Sequence, residues 1–455
     1  MLCAEQFKKK KNIPITLPNY YLLEDNEQWY PPLFSVFLSL IPKKILNKFH
    51  WVISPFLDSL ICVLTVYAAF VLTSNITVAV IAGAVYLFSP AAFLQTKRMT
   101  SRQIGTLFLN LTVFFLFLSL SNKIFLLLYA LSLFILVMAH KLNSQNFYIT
   151  IPIIGILAGK NSILFYWMVG IFAVFILSKG FYFKVLKSNY DILRFWTKNW
   201  KKLGAHQLYH SPIYGNPKKY KNIFFYKYKI LRYIIIIISD NPASFVLIAG
   251  ALFTSIFFSG FNNILFYWII CTYGLVFLIV FVPFLRGIGE AHRYLPGLVP
   301  VTGILSGIFF IRGNFYVKAA LLAAIFIGLL KIIKYLIKKR HQPDLVENDE
   351  FKKIISFINK VKEKEKVRIV CIPNHLCETL AYKCRVQVLW GGHTYPFKFI
   401  DLILPVWTKT LTELKKKYNL THLVLDKKYY NVNEKMEKEI SEILFDGKNY
   451  KIFKI

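Results

Sequence analysis

Acidic residues are scarce over three quarters of this chain. Of the 23 Asp and Glu in 455 residues, only Glu5, Glu24, Asp25, Glu27, Asp58, Asp191, Asp240 and Glu290 lie within the first 343, and 56 Lys and Arg bring the formal net charge to +33. A carboxylate placed to act as a base or metal ligand beside cations is therefore confined to two places, the opening stretch and the segment around Glu290. Cysteine is sparse as well. Cys3, Cys62, Cys271, Cys371, Cys377 and Cys384 form no Cys-x-x-Cys pair, which excludes a disulfide framework and the usual zinc patterns. Cys371, His375, Cys377, Cys384 and His393 fit no ligand spacing, and the thiols read as buried. Gly391-Gly392-His393 is too short for a phosphate-binding glycine loop. Residues 1–11 have no apolar core, so no signal peptide is visible.

What the chain has in abundance is apolar surface: 56% hydrophobic residues, 17% aromatic, and a mean hydropathy of +0.48. Long apolar runs with cations beside them describe a polytopic membrane protein with a soluble end. The cations then face anionic headgroups and phosphate-bearing lipids rather than nucleic acid. Periodicity predicts a surface-lying helix at 31–42 and spans at 51–73, 76–95, 104–121, 124–139, 147–157, 162–178, 242–259, 264–284, 295–311 and 317–337, about ten spans or half-spans. Residues 179–229 interleave Lys with Tyr, Trp, Phe and His and belong at a membrane interface. Beyond 344 short strands at 367–372, 386–390, 422–425 and 450–453 alternate with helical patterns at 350–361, near Thr379, at 408–418 and at 434–444. That alternation predicts a small α/β domain with a largely parallel sheet. Three regions follow: 1–50 as acidic loop and interfacial helix, 51–337 as transmembrane bundle including the basic aromatic loop 179–229, and 344–455 as soluble α/β domain.

Four segments could carry chemistry. Glu24-Asp25-Asn26-Glu27 stands ahead of the rigid corner Tyr30-Pro31-Pro32; it is either a catalytic carboxylate loop or a solvated cap. Asp58 lies inside an apolar span, where a carboxylate serves function or hydrogen-bonds a neighbouring helix. Residues 95–102 carry Lys97, Arg98 and Arg102 without an acid, and His140-Lys141 with Gln145 ends a later span; both could grip phosphate or face headgroups. Arg286, Glu290, His292 and Arg293 stand between two strong spans on a stretch loosened by Gly287 and Gly289. The arginines and histidine could wrap a phosphate, or Glu290 and Arg293 could pair internally with Tyr294 at the boundary.

Taken in order, Glu24-Asp25 with Tyr30-Pro31-Pro32-Leu33, Phe88-Ser89-Pro90 with Gln95 and Arg102, His140-Lys141, and Glu290-Ala291-His292-Arg293-Tyr294 resemble a GT-C class glycosyltransferase. That class takes sugar from a polyprenyl phosphate and includes protein O-mannosyltransferases, lipid A aminoarabinose transferases and oligosaccharyltransferase. The resemblance implies an α-helical polytopic bundle with a small α/β tail and hexosyl or pentosyl transfer to an external glycan, lipid or protein acceptor. It implies Glu24 and Asp25 as base or metal ligands, Arg293 as the main holder of the donor phosphate, and Arg102 and Arg286 as weaker ones. Tyr30, His140, Glu290, His292 and Tyr294 would complete the substrate site. The class carries a helix before its acidic loop, often ending in the main catalytic aspartate. This sequence lacks it, so either Glu24 and Asp25 take over that work or the chain is an inactive remnant. The basic loop 95–102, having no acid, argues against the metal-dependent arrangement of oligosaccharyltransferase, although a divalent metal stays open. The expected location is the cell membrane, multi-pass, with the C-terminal domain extracytoplasmic, against the positive-inside reading of the Lys/Arg-rich loops. A non-enzymatic protein that binds or moves a lipid-linked substrate is the alternative.

Overall fold

The structure is a computed structural model that describes residues 1–13, 17–23, 31–96, 99–202, 205–217, 229–253, 261–340, 348–390 and 397–455. Two compact units emerge, one comprising residues 1–30, 186–229 and 339–455, the other residues 31–185 and 230–338. Helices are numbered along the chain from α1 (Leu2–Lys10).

The second unit is a helical membrane bundle: α2 (Leu33–Leu40), α3 (Lys43–Thr73), α4 (Ile76–Leu87), α5 (Pro90–Phe93), α6 (Arg102–Ser119), α7 (Phe125–Ala139), α8 (Lys141–Leu157), α9 (Asn161–Leu177), the start of α10 (Phe181–Lys198), α11 (Lys229–Asp240), α12 (Pro242–Phe253), α13 (Phe261–Phe281), α14 (Val299–Arg312) and α15 (Phe315–Arg340). Among the described residues five helices are long and apolar enough to cross a bilayer. Two bent pairs, Asn161–Leu177 with Phe181–Lys198 and Tyr233–Asp240 with Pro242–Leu252, raise the number to seven. Periodicity predicts about ten because it cannot see the breaks. Pro90 interrupts the run 76–95, and α4 keeps only 12 residues, about 18 Å of helix against the roughly 30 Å of a hydrocarbon core. The outward faces are apolar, with Trp51, Phe56, Val63 and Tyr67 of α3 and Phe326 and Ile337 of α15 each more than half exposed. Lipid requires such a surface and water does not tolerate it.

Inside the bundle, small residues and single polar bonds hold helices together. A Cβ on Gly303 of α14 would stand 2.7 Å from the Ala82 carbonyl oxygen of α4, so the Gly303–Gly307 spacing lets two backbones meet. Tyr86 Oη donates to Asp58 Oδ1 at 2.8 Å, giving the intramembrane carboxylate its helix–helix partner. Asp240, its side chain 6% exposed, is paired with Lys331 Nζ at 2.6 Å, and that ammonium also donates to Ser239 Oγ.

The first unit is built on a five-stranded sheet in the order β2-β1-β3-β5-β4, with β1 (Arg368–Ile372), β2 (Gln387–Val388), β3 (His422–Asp426), β4 (Glu442–Asp446) and β5 (Tyr450–Lys454). Pairs β1–β2 and β1–β3 are parallel, whereas β3–β5 and β4–β5 are antiparallel. Helices α16 (Asp349–Val361), α17 (His375–Cys384), α18 (Leu411–Tyr418) and α19 (Glu434–Glu437) accompany it. The sheet is therefore mixed, not largely parallel, and a correction is due at 434–444. The expected helix there stops at Glu437, and β4 follows as one arm of a hairpin closed around Gly447. The apolar run Ile443-Leu444-Phe445 pairs with β5, which offers a ladder that a short helix cannot match. Cys371, Cys377 and Cys384 are buried thiols, and burial pushes Cys384 up to about 11.

Two stretches beyond 344–455 join this unit. Ile192, Phe195, Leu208 and Tyr214 share its core, although the sequence reading left 179–229 with the bundle. Ser211 Oγ donates to the Trp407 carbonyl at 2.6 Å and Tyr214 Oη to Glu439 at 3.0 Å. This part of the basic aromatic loop thus packs Phe195 and Tyr214 into protein and leaves Phe183, Tyr190 and Tyr209 exposed. At the other end, Leu22 N donates to Val388 O at 3.0 Å and Val388 N to Tyr20 O at 2.8 Å. Arg385 grips Glu5 through both nitrogens. This covers the β2 edge, which would otherwise stand open to pairing.

Two outcomes test these contacts. Lys331→Met strands the buried Asp240 carboxylate and should cost about 3 kcal/mol. That loss is read as a lower melting temperature in detergent, with Asp240→Asn/Lys331→Met recovering most of it. Glu350 accepts from Asn449 N at 2.7 Å, Asn449 Nδ2 at 2.6 Å and Tyr450 N at 3.1 Å. Partial burial raises its carboxyl and these donors, with Lys427, more than offset it, so its pKa lies below the ordinary value. Its contribution is complete above the unfolded pKa and lost as pH falls through the folded one. Glu350→Gln should therefore flatten the acid limb of the unfolding curve, and an unchanged limb would deny Glu350 that part.

Candidate functional site

The bundle breaks between α13 and α14. Pro283 has no N–H to extend α13, and the chain passes through a 3-10 stretch at Pro283–Ile288. It then turns at Gly289, whose φ of 154° is ready only for glycine, and enters a second 3-10 stretch, Ala291–Leu298, containing Pro296. Non-α backbone at this depth is tolerated where protein buries it, and Ala291, Tyr294, Leu295 and Leu298 are all buried.

The break gathers polar groups from four helices. Arg293 Nη2 donates to Glu290 Oε1 at 2.7 Å, side chains 30% and 48% exposed. His292 Nε2 lies 3.6 Å from Glu290 Oε2, and its Nδ1 meets Tyr233 Oη of α11 at 3.0 Å. Tyr294 Oη donates to Gln145 Oε1 of α8 at 3.2 Å. The start of α8 packs along the same break, with Leu142 against Gly289 and Asn146 against Gly297. Asn143 Nδ2 donates to the Arg102 carbonyl at 3.4 Å and to Thr106 Oγ1 at 3.3 Å, tying in the start of α6. That approach needs Gly105, because a Cβ there would stand 2.7 Å from Asn143 Nδ2.

Arg102, His140, Glu290, His292, Arg293 and Tyr294 are therefore drawn to one end of the bundle. His140 is 6% exposed and caps the α7–α8 junction. Arg286 turns back, donating from Nη2 to the Val280 carbonyl at 3.1 Å. Glu24, Asp25 and Tyr30 lie outside the described residues, as do Lys97 and Arg98. Leu22 and Leu23 immediately before them are fixed to the β2 edge, Leu23 donating to Leu389 O at 3.2 Å. No group of three or more His, Cys, Asp or Glu able to hold a metal ion occurs among the described residues.

Two residues were not chosen from the sequence. Tyr233 opens an isoleucine run, and nothing in that run announces a partner for a histidine 59 positions away. Lys141 is 7% exposed, and among the described residues no carboxylate pairs with it. Its burial depends on the packing of α8 against the break, which the sequence alone does not report. Among the described residues the arrangement thus offers two acids already engaged, Glu290 by Arg293 and Asp240 by Lys331, to a larger number of cations. Such a cluster can receive an anion with guanidinium and ammonium donors and hold it in low dielectric.

No family model matches the sequence, and no curated protein matches it. Among solved structures the chain is similar to the Archaeoglobus fulgidus oligosaccharyltransferase tethered with an acceptor peptide containing the NVT sequon via a disulfide bond. The TM-score is 0.48 at 11% identity, over 93% of this chain and 64% of that one. The chain thus spans less than two thirds of the length of the protein it is similar to.

Proposed function

We propose that this multi-pass membrane protein is a glycosyltransferase that moves a hexosyl or pentosyl group from a polyprenyl-phosphate donor to an extracytoplasmic glycan, lipid or protein acceptor. The observation that carries the reading is the cation excess at the break. Arg102, Lys141 and Arg293 lie at this end of the bundle, where among the described residues Glu290 is paired with Arg293 and Asp240 with Lys331. A bundle that admits so few charges has little reason to bury a lysine that has no carboxylate partner among the described residues unless an anion comes to it. In this reading Arg293, held at one nitrogen by Glu290, presents its remaining donors to the donor phosphate. Arg102 adds positive field, and His292, Arg286, Tyr30, His140 and Tyr294 shape the surroundings.

The leaving group is the lipid phosphate. Its oxygen takes the electron pair of the cleaved C–O bond, and guanidinium donors stabilise the charge that develops there. The acceptor needs a base, which we assign to Glu24 and Asp25, with the C-terminal α/β domain on the acceptor side outside the cytoplasm. A divalent metal, where one is used, would be held by the same two carboxylates.

Two variants separate the roles. Arg293→Gln is expected to weaken donor binding about tenfold or more, the loss of one charge-assisted pair, measured by titrating purified protein with a polyprenyl-phosphate sugar. Glu24→Gln/Asp25→Asn should bind the donor normally and lose turnover. Full activity of the double variant overturns the base assignment. Labelled lipid exchanged across a bilayer without glycosylated product would favour the binding or transport reading.

A further inference from the structure

Helix α10 has a face that its own packing does not explain. At 100° per residue Phe183, Lys184, Lys187, Tyr190, Arg194 and Lys198 fall on one side, and all six are exposed, Phe183 by 64% and Tyr190 by 62%. On the opposite side Val185, Ile192 and Phe195 are buried, the last two in the α/β core. The buried side holds the helix in place, so the outward side is not needed for folding. It carries four cations against one half-buried acid, Asp191, whereas a soluble surface normally mixes signs more evenly. Lys198 is partly spoken for by Asp401 at 3.3 Å.

Position in the chain says what this face meets. The apolar helix α9 ends at Leu177, and the chain then bends by 111° before α10 begins at Phe181. α10 therefore runs across the direction of an apolar helix that ended a few residues earlier, and its start belongs at headgroup level. Lysine and arginine there reach lipid phosphates, while phenyl and phenol rings settle at the boundary between headgroup and acyl chain.

We propose that the outward face of α10 docks on the anionic headgroups of the bilayer that holds the bundle. The proposal is independent of the transferase reading, because it needs no catalytic residue. The test uses the full chain in nanodiscs, either of phosphatidylcholine alone or of phosphatidylcholine mixed with phosphatidylglycerol. A spin label at Thr197→Cys, exposed on the same face, reports collisions with a water-soluble nickel chelate, the unlabelled-site chain serving as blank for native cysteines. Phosphatidylglycerol should lower the collision rate about threefold or more, and Lys184→Gln/Lys187→Gln/Arg194→Gln should abolish that difference. Equal rates in the two lipids overturn the proposal, whether the label is open or protected. A difference that survives the triple substitution overturns the part given to the cations. The comparison between lipids stands on the unsubstituted face alone should the triple variant fail to fold.

Discussion

A bilayer penalises every charge and every unpaired backbone group, and the membrane unit is arranged around that penalty. Asp58 is quenched by Tyr86 and Asp240 by Lys331, each bond joining two helices. Where helix geometry is abandoned, between α13 and α14, the irregular backbone is sheathed by α6, α8 and α11 rather than left to lipid. The cost of an interrupted helix is tolerated only where the interruption is enclosed, and enclosure is also what concentrates polar side chains at one end. The scarcity of acids and the cation cluster are thus two aspects of one constraint.

The α/β unit obeys a different one, the satisfaction of its sheet edges. Residues 20–23 cover β2, and Arg385 holds α1 through Glu5. The chain segment that leads into Glu24 is therefore fixed by backbone bonds before it reaches its acids. Anchoring of this kind suits a loop whose carboxylates must be presented reproducibly, because an ordered entry removes part of the entropy a catalytic loop would otherwise lose on binding.

Much of this was legible in the residues, unevenly so. Apolar runs mark α6, α7, α9, α13 and α15 within a few residues, since a span must be long and apolar, whereas α3 begins eight residues ahead of the run at 51–73. α4 and α5 were merged because one proline decides between a span and two fragments. β4 was taken for helix because Glu434 to Leu444 has a helical spacing that only the β5 partner overrides. Composition puts the loop 179–229 at an interface, yet Ile192, Phe195 and Tyr214 pack into the α/β core while α10 keeps its lysines outward. Composition reports what residues prefer, not which of two apolar environments claims them. At the break, Glu290, His292 and Arg293 were visible through charge in an apolar setting. Tyr233 was not, because a hydrogen bond between residues far apart in sequence leaves no local trace.

Glu290 deserves a role distinct from that of the opening acids. Its Oε1 accepts from Arg293 at 2.7 Å, three residues along the same turn, and its Oε2 faces His292 at 3.6 Å. A carboxylate with one oxygen on a guanidinium and the other turned toward an imidazole is poorly placed to take a proton from an acceptor hydroxyl, which a general base must approach directly. It is well placed to fix the guanidinium plane, and a guanidinium held at one nitrogen keeps its other donors in a known direction. On the transferase reading Glu290 is then a positioning residue for Arg293, and the proton-accepting work is assigned to Glu24 and Asp25. Within the proposed transfer, that division of labour is why the scarce acids stand in two separate places: one steadies the cation that holds the leaving phosphate, and the others remain for the acceptor.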